Sequence, residues 1–144
     1  MPKMIFVNLP TADVVKSTAF YEALGFTKDL RFSNEHASAM VWSDAITLMI
    51  LHRDFFATFT PKPVADAHAA TEVLLALSLD SRDAVDAIVD AAAASGGRGD
   101  IRAAQDMGFM YSRAFEDPDG HVFEPMYMDM DAAMAAFGNQ SEHA

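Results

Sequence analysis

The apolar pattern of this chain passes through one order of elements twice, and few folds accommodate that. Residues 4–9 form a short apolar run ended by Pro10, which predicts a strand. Thr11 or Asp13 can cap the helix that follows, where Val14, Val15, Ala19, Phe20 and Leu24 recur near helical spacing. Gly25 suits the residue that ends such a helix. Strand-like runs at 26–32, 37–42 and 46–51 come next, separated by polar turns. After a break the order restarts with a strand over 73–79. A helix over 82–94 follows, capped by Asp80 or Ser81 and stopped at Gly96 and Gly97, with Ala84, Val85, Ile88, Val89 and Ala92 as its apolar stripe. A weak strand near 100–103 and strands at 109–115 and 122–128 complete the second pass, and a short helix over 131–137 precedes a polar tail.

The order is therefore β-α-β-β-β, a linker, and β-α-β-β-β. One such half leaves a face of its small sheet exposed, whereas two halves packed or joined edge to edge bury it and enclose a concave surface. The predicted fold class is α+β, with two βαβββ modules forming a curled mixed sheet around a cavity. Module one spans about 3–56, the linker about 57–71, module two about 72–128, and a C-terminal helix and tail 129–144, all in a single domain. The linker region holds an aromatic cluster, Phe55, Phe56 and Phe59, and two prolines, Pro61 and Pro63, that allow at most a helical turn.

The clearest local signal is the turn Asp117-Pro118-Asp119-Gly120. Proline presets φ, the aspartates bond their own backbone and glycine takes positive φ, so the flanking apolar runs read as a hairpin. That hairpin carries one carboxylate, Glu124, into an otherwise apolar strand. Such an acid either faces solvent, paired with a base such as Arg113, or lines a pocket.

Composition excludes several classes of function. With 21 acidic against 10 basic residues the net charge is −11, and no cluster of Lys and Arg exists to meet a phosphate backbone or an anionic membrane surface. No apolar run approaches the roughly 18 residues needed to span a bilayer. The first residues lead straight into a strand pattern rather than a signal peptide, and there is no cysteine, which together imply the cytoplasm. Nucleophilic motifs, phosphate loops and dinucleotide fingerprints are missing.

Three segments resemble the vicinal oxygen chelate superfamily, which includes glyoxalase I, bleomycin-resistance proteins and extradiol dioxygenases. They are 8–26, with Phe20-Tyr21 and Leu24-Gly25-Phe26; 75–80; and 115–124, with the Asp-Pro-Asp-Gly turn and Glu124. The resemblance implies paired βαβββ modules around a cavity and a homodimer. In its metal-dependent members four side chains, often two His and two Glu, face that cavity. Here the matching positions fall on Phe6, on Leu74, on one of Thr47, Leu48 and Met49, and on Glu124. One carboxylate does not hold a divalent ion that usually takes three or four ligands. The resemblance thus implies the fold, and the residues argue against its metal; no cofactor is predicted.

The expected function is metal-independent binding of a small molecule in an apolar cavity, by the homodimer that the resemblance implies. Asn8 shares the Phe6 face of the first strand and is a polar contact with Glu124, while Phe6, Trp42, Met49 and Leu74 contribute wall. Acidic character suits a cationic ligand. Alternatives are a metal-dependent lyase or isomerase of the glyoxalase I kind, with Glu124 and His52 as acid/base or ligand, and a dimer with no small ligand. The other histidines, His36, His68, His121 and His143, read as surface, turn or tail residues.

Overall fold

A computed structural model describes residues 3–142, with side chains through residue 138. Module one runs β1 (Ile5–Thr11), α1 (Val14–Ala23), β2 (Thr27–Lys28), a 3-10 turn (Leu30–Phe32), β3 (Ala37–Ser43) and β4 (Ile46–His52). A short helix, α2 (Arg53–Ala57), opens the linker. Module two runs β5 (Leu74–Ser78), α3 (Arg82–Ala94), β6 (Arg98–Gly99), β7 (Gln105–Asp106), β8 (Met110–Ser112), β9 (Phe115–Glu116) and β10 (Val122–Met128). A last helix, α4, covers Met130–Glu142. His143 lies outside the described residues.

The helices begin where their caps allow. The Asp13 side chain accepts from the Lys16 amide, and Ser81 Oγ accepts from the Ala84 amide, each at 3.0 Å. Gly25, at φ +101°, ends the first helix in a conformation that a Cβ would strain.

The first sheet has the order β1-β4-β3-β2; in the second, β10 joins β8 and β9 on one side to β5 on the other. β1 pairs in parallel with β4, and β5 in parallel with β10, so each module's opening strand has a single neighbour in its sheet. The remaining pairings are antiparallel, which makes both sheets mixed.

One core serves both modules. Phe20 and Tyr21 of α1 meet edge to face at 5.1 Å. Phe20 lies 6.2 Å from Phe115 of β9, Tyr21 lies 5.9 Å from Phe123 of β10, and Phe115 and Phe123 stack at 5.1 Å. These four rings are fully buried, as are Met40 and Val85, and Ile50 and Val89 nearly so. Each such side chain contributes about 1.5–3 kcal/mol relative to exposure. The modules therefore meet through their helix-bearing faces, and the opposite sheet faces point outward.

Polar clamps fix that meeting. Tyr21 donates its hydroxyl to Asp117 Oδ2 at 2.5 Å, and the other Asp117 oxygen accepts from the amides of Asp119 and His121. Asp119 in turn accepts from the Ala12 amide and from Ser17 Oγ, and His121 Nε2–H donates to the Pro10 carbonyl at 2.8 Å. The turn of module two is thereby bonded to the β1–α1 junction of module one.

Several boundaries differ from the sequence-based expectation. The strand expected over 109–115 is two, β8 and β9. Arg113 donates its amide to the Pro125 carbonyl at 3.2 Å, but proline has no N–H to return, so the ladder lapses there. The expected strand near 100–103 is a loop between β6 and β7, with Asp100 at φ +51°. Of 26–32 only two residues pair before Asp29 caps the 3-10 turn, and the last helix is longer than 131–137.

Tyr21→Phe should cost about 1.5–3 kcal/mol of unfolding free energy in urea, the range for a hydrogen bond to a charged group. Burial pushes the Asp117 carboxyl above the ordinary carboxylate value. Folding therefore takes up a proton in the window above the unfolded value of about 3.9, and stability from this group falls as pH rises through the folded value. Asp117→Asn should flatten that part of the stability–pH profile.

Candidate functional site

Side-chain parity along the strands defines two outward faces. In the first sheet Phe6 is in register with Thr47, Asn8 with Met49 and Pro10 with Leu51, and β3 adds Val41, Ala39 and Ala37 to the same rows. The alternate residues, Val7, Leu9, Met40 and Leu48, belong to the core. This face opens into a cavity of about 740 Å³ whose walls include Phe6, Asn8 and Met49 from the sheet, and Phe32, Phe55 and Phe59 from the 3-10 turn and linker. Phe55 and Phe59 meet edge to face at 5.1 Å. A second hollow of about 500 Å³ continues along the same face past Phe6, Phe32 and Met49 to Met4 and Thr47. Phe6, Phe32 and Phe59 are 55%, 63% and 67% exposed, a concentration of uncovered aromatic surface.

In the second sheet Glu124 is in register with Ala76, Val122 with Leu74, and Met126 with Ser78 and Ser112. Phe123, Leu75 and Leu77 take the core side. The loop between β6 and β7 brings in Arg102, whose Nη2 donates to Glu124 Oε2 at 2.8 Å and to Ser112 Oγ at 3.2 Å, while Nη1 donates to the Ala103 carbonyl. The two charged side chains are about one-quarter exposed, and Glu124 Oε1 has no protein partner among the described residues. Arg113 points elsewhere, onto Asp86 at 2.8 Å and Asp100 at 2.7 Å. The Tyr111 hydroxyl, at 2.7 Å, and then Arg113 hold Asp86 below the ordinary carboxylate range, and Arg113 does the same for Asp100.

The residues singled out by sequence thus divide. Phe6, Asn8 and Met49 line one cavity; Leu74 and Glu124 stand together on the other sheet. The cavities on the first face include neither of the latter two. Trp42 takes the core side of β3, 4.9 Å from the Phe26 ring. His52 caps α2, its Nδ1 accepting from the Asp54 amide at 3.3 Å, beside a cleft with His36 and Glu35. His121, expected on the surface, is half-buried in the clamp, and His68 is exposed on the linker.

Arg102 escaped the sequence reading. It lies in a stretch that reads as a weak strand, and only the loop's path brings it to Glu124. The aromatic wall had a signal, the spacing of Phe55, Phe56 and Phe59, though their direction depends on α2.

The donor set fits a divalent ion poorly. Phe6 and Leu74 offer no lone pair, Glu124 is bonded to a guanidinium, and no group of three or more His, Asp or Glu suited to a metal occurs among the described residues. Nor is any helix among them long and apolar enough to cross a membrane.

Comparison with known proteins agrees with this geometry. The model of the glyoxalase/bleomycin resistance protein/dioxygenase superfamily matches residues 3–124, and the chain belongs to that superfamily. A hypothetical protein from S. aureus, SA1046, superposes with a TM-score of 0.74 at 24% identity, over 88% of this chain and 95% of that one. A glyoxalase/bleomycin resistance protein/dioxygenase family enzyme from Burkholderia phytofirmans PsJN gives 0.71 at 22%, over 88% and 99%. A bleomycin resistance determinant encoded on the transposon Tn5 gives 0.61 at 21%, over 89% and 99%. These likenesses concern the fold. No curated protein matches the sequence.

A double-mutant cycle on Arg102→Ala and Glu124→Ala, read by urea unfolding, should return a coupling of about 1 kcal/mol for this partly exposed pair. Additive effects would mean that the pair contributes nothing.

Proposed function

We propose that the protein binds a small, largely apolar organic molecule on the outward face of the first sheet, without a metal ion. The observation that carries this is the cavity of about 740 Å³ walled by Phe6, Phe32, Phe55 and Phe59, with the Asn8 amide among them. Aromatic walls with a few polar groups are the usual make-up of a small-molecule site, and the volume suits one. Membership of a superfamily that includes a bleomycin resistance determinant supports the reading.

The second part of the proposal is a homodimer. Both modules leave apolar residues uncovered on their outward faces, Phe6 on one and Leu74, 55% exposed, on the other. Their opening strands β1 and β5 each have one free edge. A second copy that sets its Glu124 face over the Phe6 face covers both and brings Glu124 and Asn8 to one ligand. The Arg102–Glu124 pair is neutral as a unit, so it offers such a ligand hydrogen bonds rather than net charge. That weakens the case for a cationic ligand. Nothing in the donor set favours the lyase or isomerase alternative.

Titration with anilinonaphthalene sulfonate, a fluorescent anion with an apolar aromatic body, tests the binding reading. One dye site per chain is expected, and Phe59→Asp, at an exposed position, should weaken it at least about tenfold, or 1.4 kcal/mol. Sedimentation should give a dimer. A stoichiometric divalent ion in protein purified without chelator, whose removal abolishes dye binding, would overturn the metal-independent reading.

A further inference from the structure

The two hollows on the outward face of the first sheet share three side chains, Phe6, Phe32 and Met49. Their common floor is the sheet, in rows across β1, β4 and β3. Phe6 stands with Thr47 and Val41, Asn8 with Met49 and Ala39, and Pro10 with Leu51 and Ala37. The hollow of about 740 Å³ is floored by Asn8, Met49, Leu51 and Ala37. That of about 500 Å³ is floored by Thr47, Val41, Met49 and Ala39, so the Met49 row belongs to both. Phe6 comes from β1, at one edge of the sheet, and Phe32 from the turn after β2, at the other edge. The two rings therefore flank the floor rather than divide it, and each is more than half exposed.

The length of this floor follows from the strands. Neighbouring rows are two residues apart, so from Thr47 to Leu51 it runs about 13 Å along β4, at roughly 3.3 Å per residue. Met4 extends the lining at the Thr47 end. None of these floor residues is charged. The charges of the smaller hollow, Asp44 and the Asp29–Arg31 pair closed at 2.9 Å, sit on turns at its margin. At the other end stand Asn8, Asn34 and Thr60. Asn34 Oδ1 accepts from the His36 amide and Thr60 Oγ1 from the Lys62 amide, whereas the Asn8 side chain has no protein partner among the described residues. A short molecule fills one hollow and leaves one side of both rings in water; a long one covers both sides.

We propose that the two hollows are one groove whose ligand is an elongated, uncharged amphiphile. Its straight apolar chain lies along the floor between Phe6 and Phe32, and its hydroxyl or amide head meets Asn8. The inference rests on the small-molecule reading above and adds the shape and direction of the ligand. The Asn8 amide both donates and accepts, which matches such a head. Met49, unbranched and adaptable, lies under the middle of the chain.

Displacement of N-phenyl-1-naphthylamine, an uncharged fluorescent dye, by 1-hexanol, 1-octanol and 1-decanol tests the assignment on the whole protein. Affinity should rise about fourfold for each added CH₂, and so about 250-fold from hexanol to decanol. Met4→Asp sets a charge at the far end, at an exposed position that lines only the smaller hollow. It should weaken decanol at least about tenfold and leave hexanol unchanged. Asn8→Ala should weaken all three alcohols by the same factor of about five. Affinity that levels off at hexanol, a decanol gain that survives Met4→Asp, or alcohols indifferent to Asn8→Ala would overturn the assignment. In each of those cases dye and hexanol still bind, and the small-molecule reading stands; if neither binds, both fall.

Discussion

The bond from Tyr21 to Asp117 governs how the two modules can sit. Its partners are 96 residues apart and both are removed from water. Burial pushes the Tyr21 hydroxyl well above its ordinary value, with the Asp117 charge next in effect, and burial also raises Asp117. A buried carboxylate is costly unless its oxygens are bonded, and here three donors meet it, the amides of Asp119 and His121 and the Tyr21 hydroxyl of α1. The hairpin that carries Glu124 therefore has its geometry completed only when module one's helix is in place. The residues that mark the superfamily in sequence, Phe20-Tyr21 and the Asp-Pro-Asp-Gly turn, are the two halves of this contact.

That contact decides where a site can be. Since the helix-bearing faces are joined, the outward faces of both sheets are left for ligands or for another copy. The first gathers aromatic rings and an amide; the second gathers a carboxylate held by a guanidinium. The same packing forces the linker to cross the junction, and its close approach at Gly120 leaves the smaller cavity beneath it. One arrangement of helices thus accounts for two outward faces and a cavity of different chemistry.

Much of this was legible in sequence where local rules decide. The repeat and the bounds of α3 and β10 follow from periodicity and turn chemistry, which also narrow the caps to Thr11 or Asp13 and to Asp80 or Ser81, and of these Asp13 and Ser81 cap. What was not legible depends on register or on loop paths. Pro125 splits its partner strand only because it stands opposite Arg113, which no local pattern reveals. Trp42 has the composition of a pocket wall, but parity with Met40, in a strand whose Ser38 bonds Thr18 of α1 at 2.6 Å, turns it to the core. Arg102 reaches Glu124 through a loop whose course is set by Asp100 and Arg113.

Arg102 also changes what Glu124 can do. An unpaired carboxylate on an apolar sheet face would attract a cation, and the acidic composition would strengthen that pull. With a guanidinium at 2.8 Å the charge is met from within the chain, and Glu124 keeps one oxygen free as a neutral-pair acceptor. A metal at the same place would have to displace Arg102 and would then find the apolar Leu74 nearby on its sheet, with no group of three or more His, Asp or Glu suited to a metal among the described residues. The apolar residues at the matching positions, Phe6 and Leu74, and the base beside the acid point the same way. Each alone would disfavour the ion, and together they turn a coordinating residue into a hydrogen-bonding one.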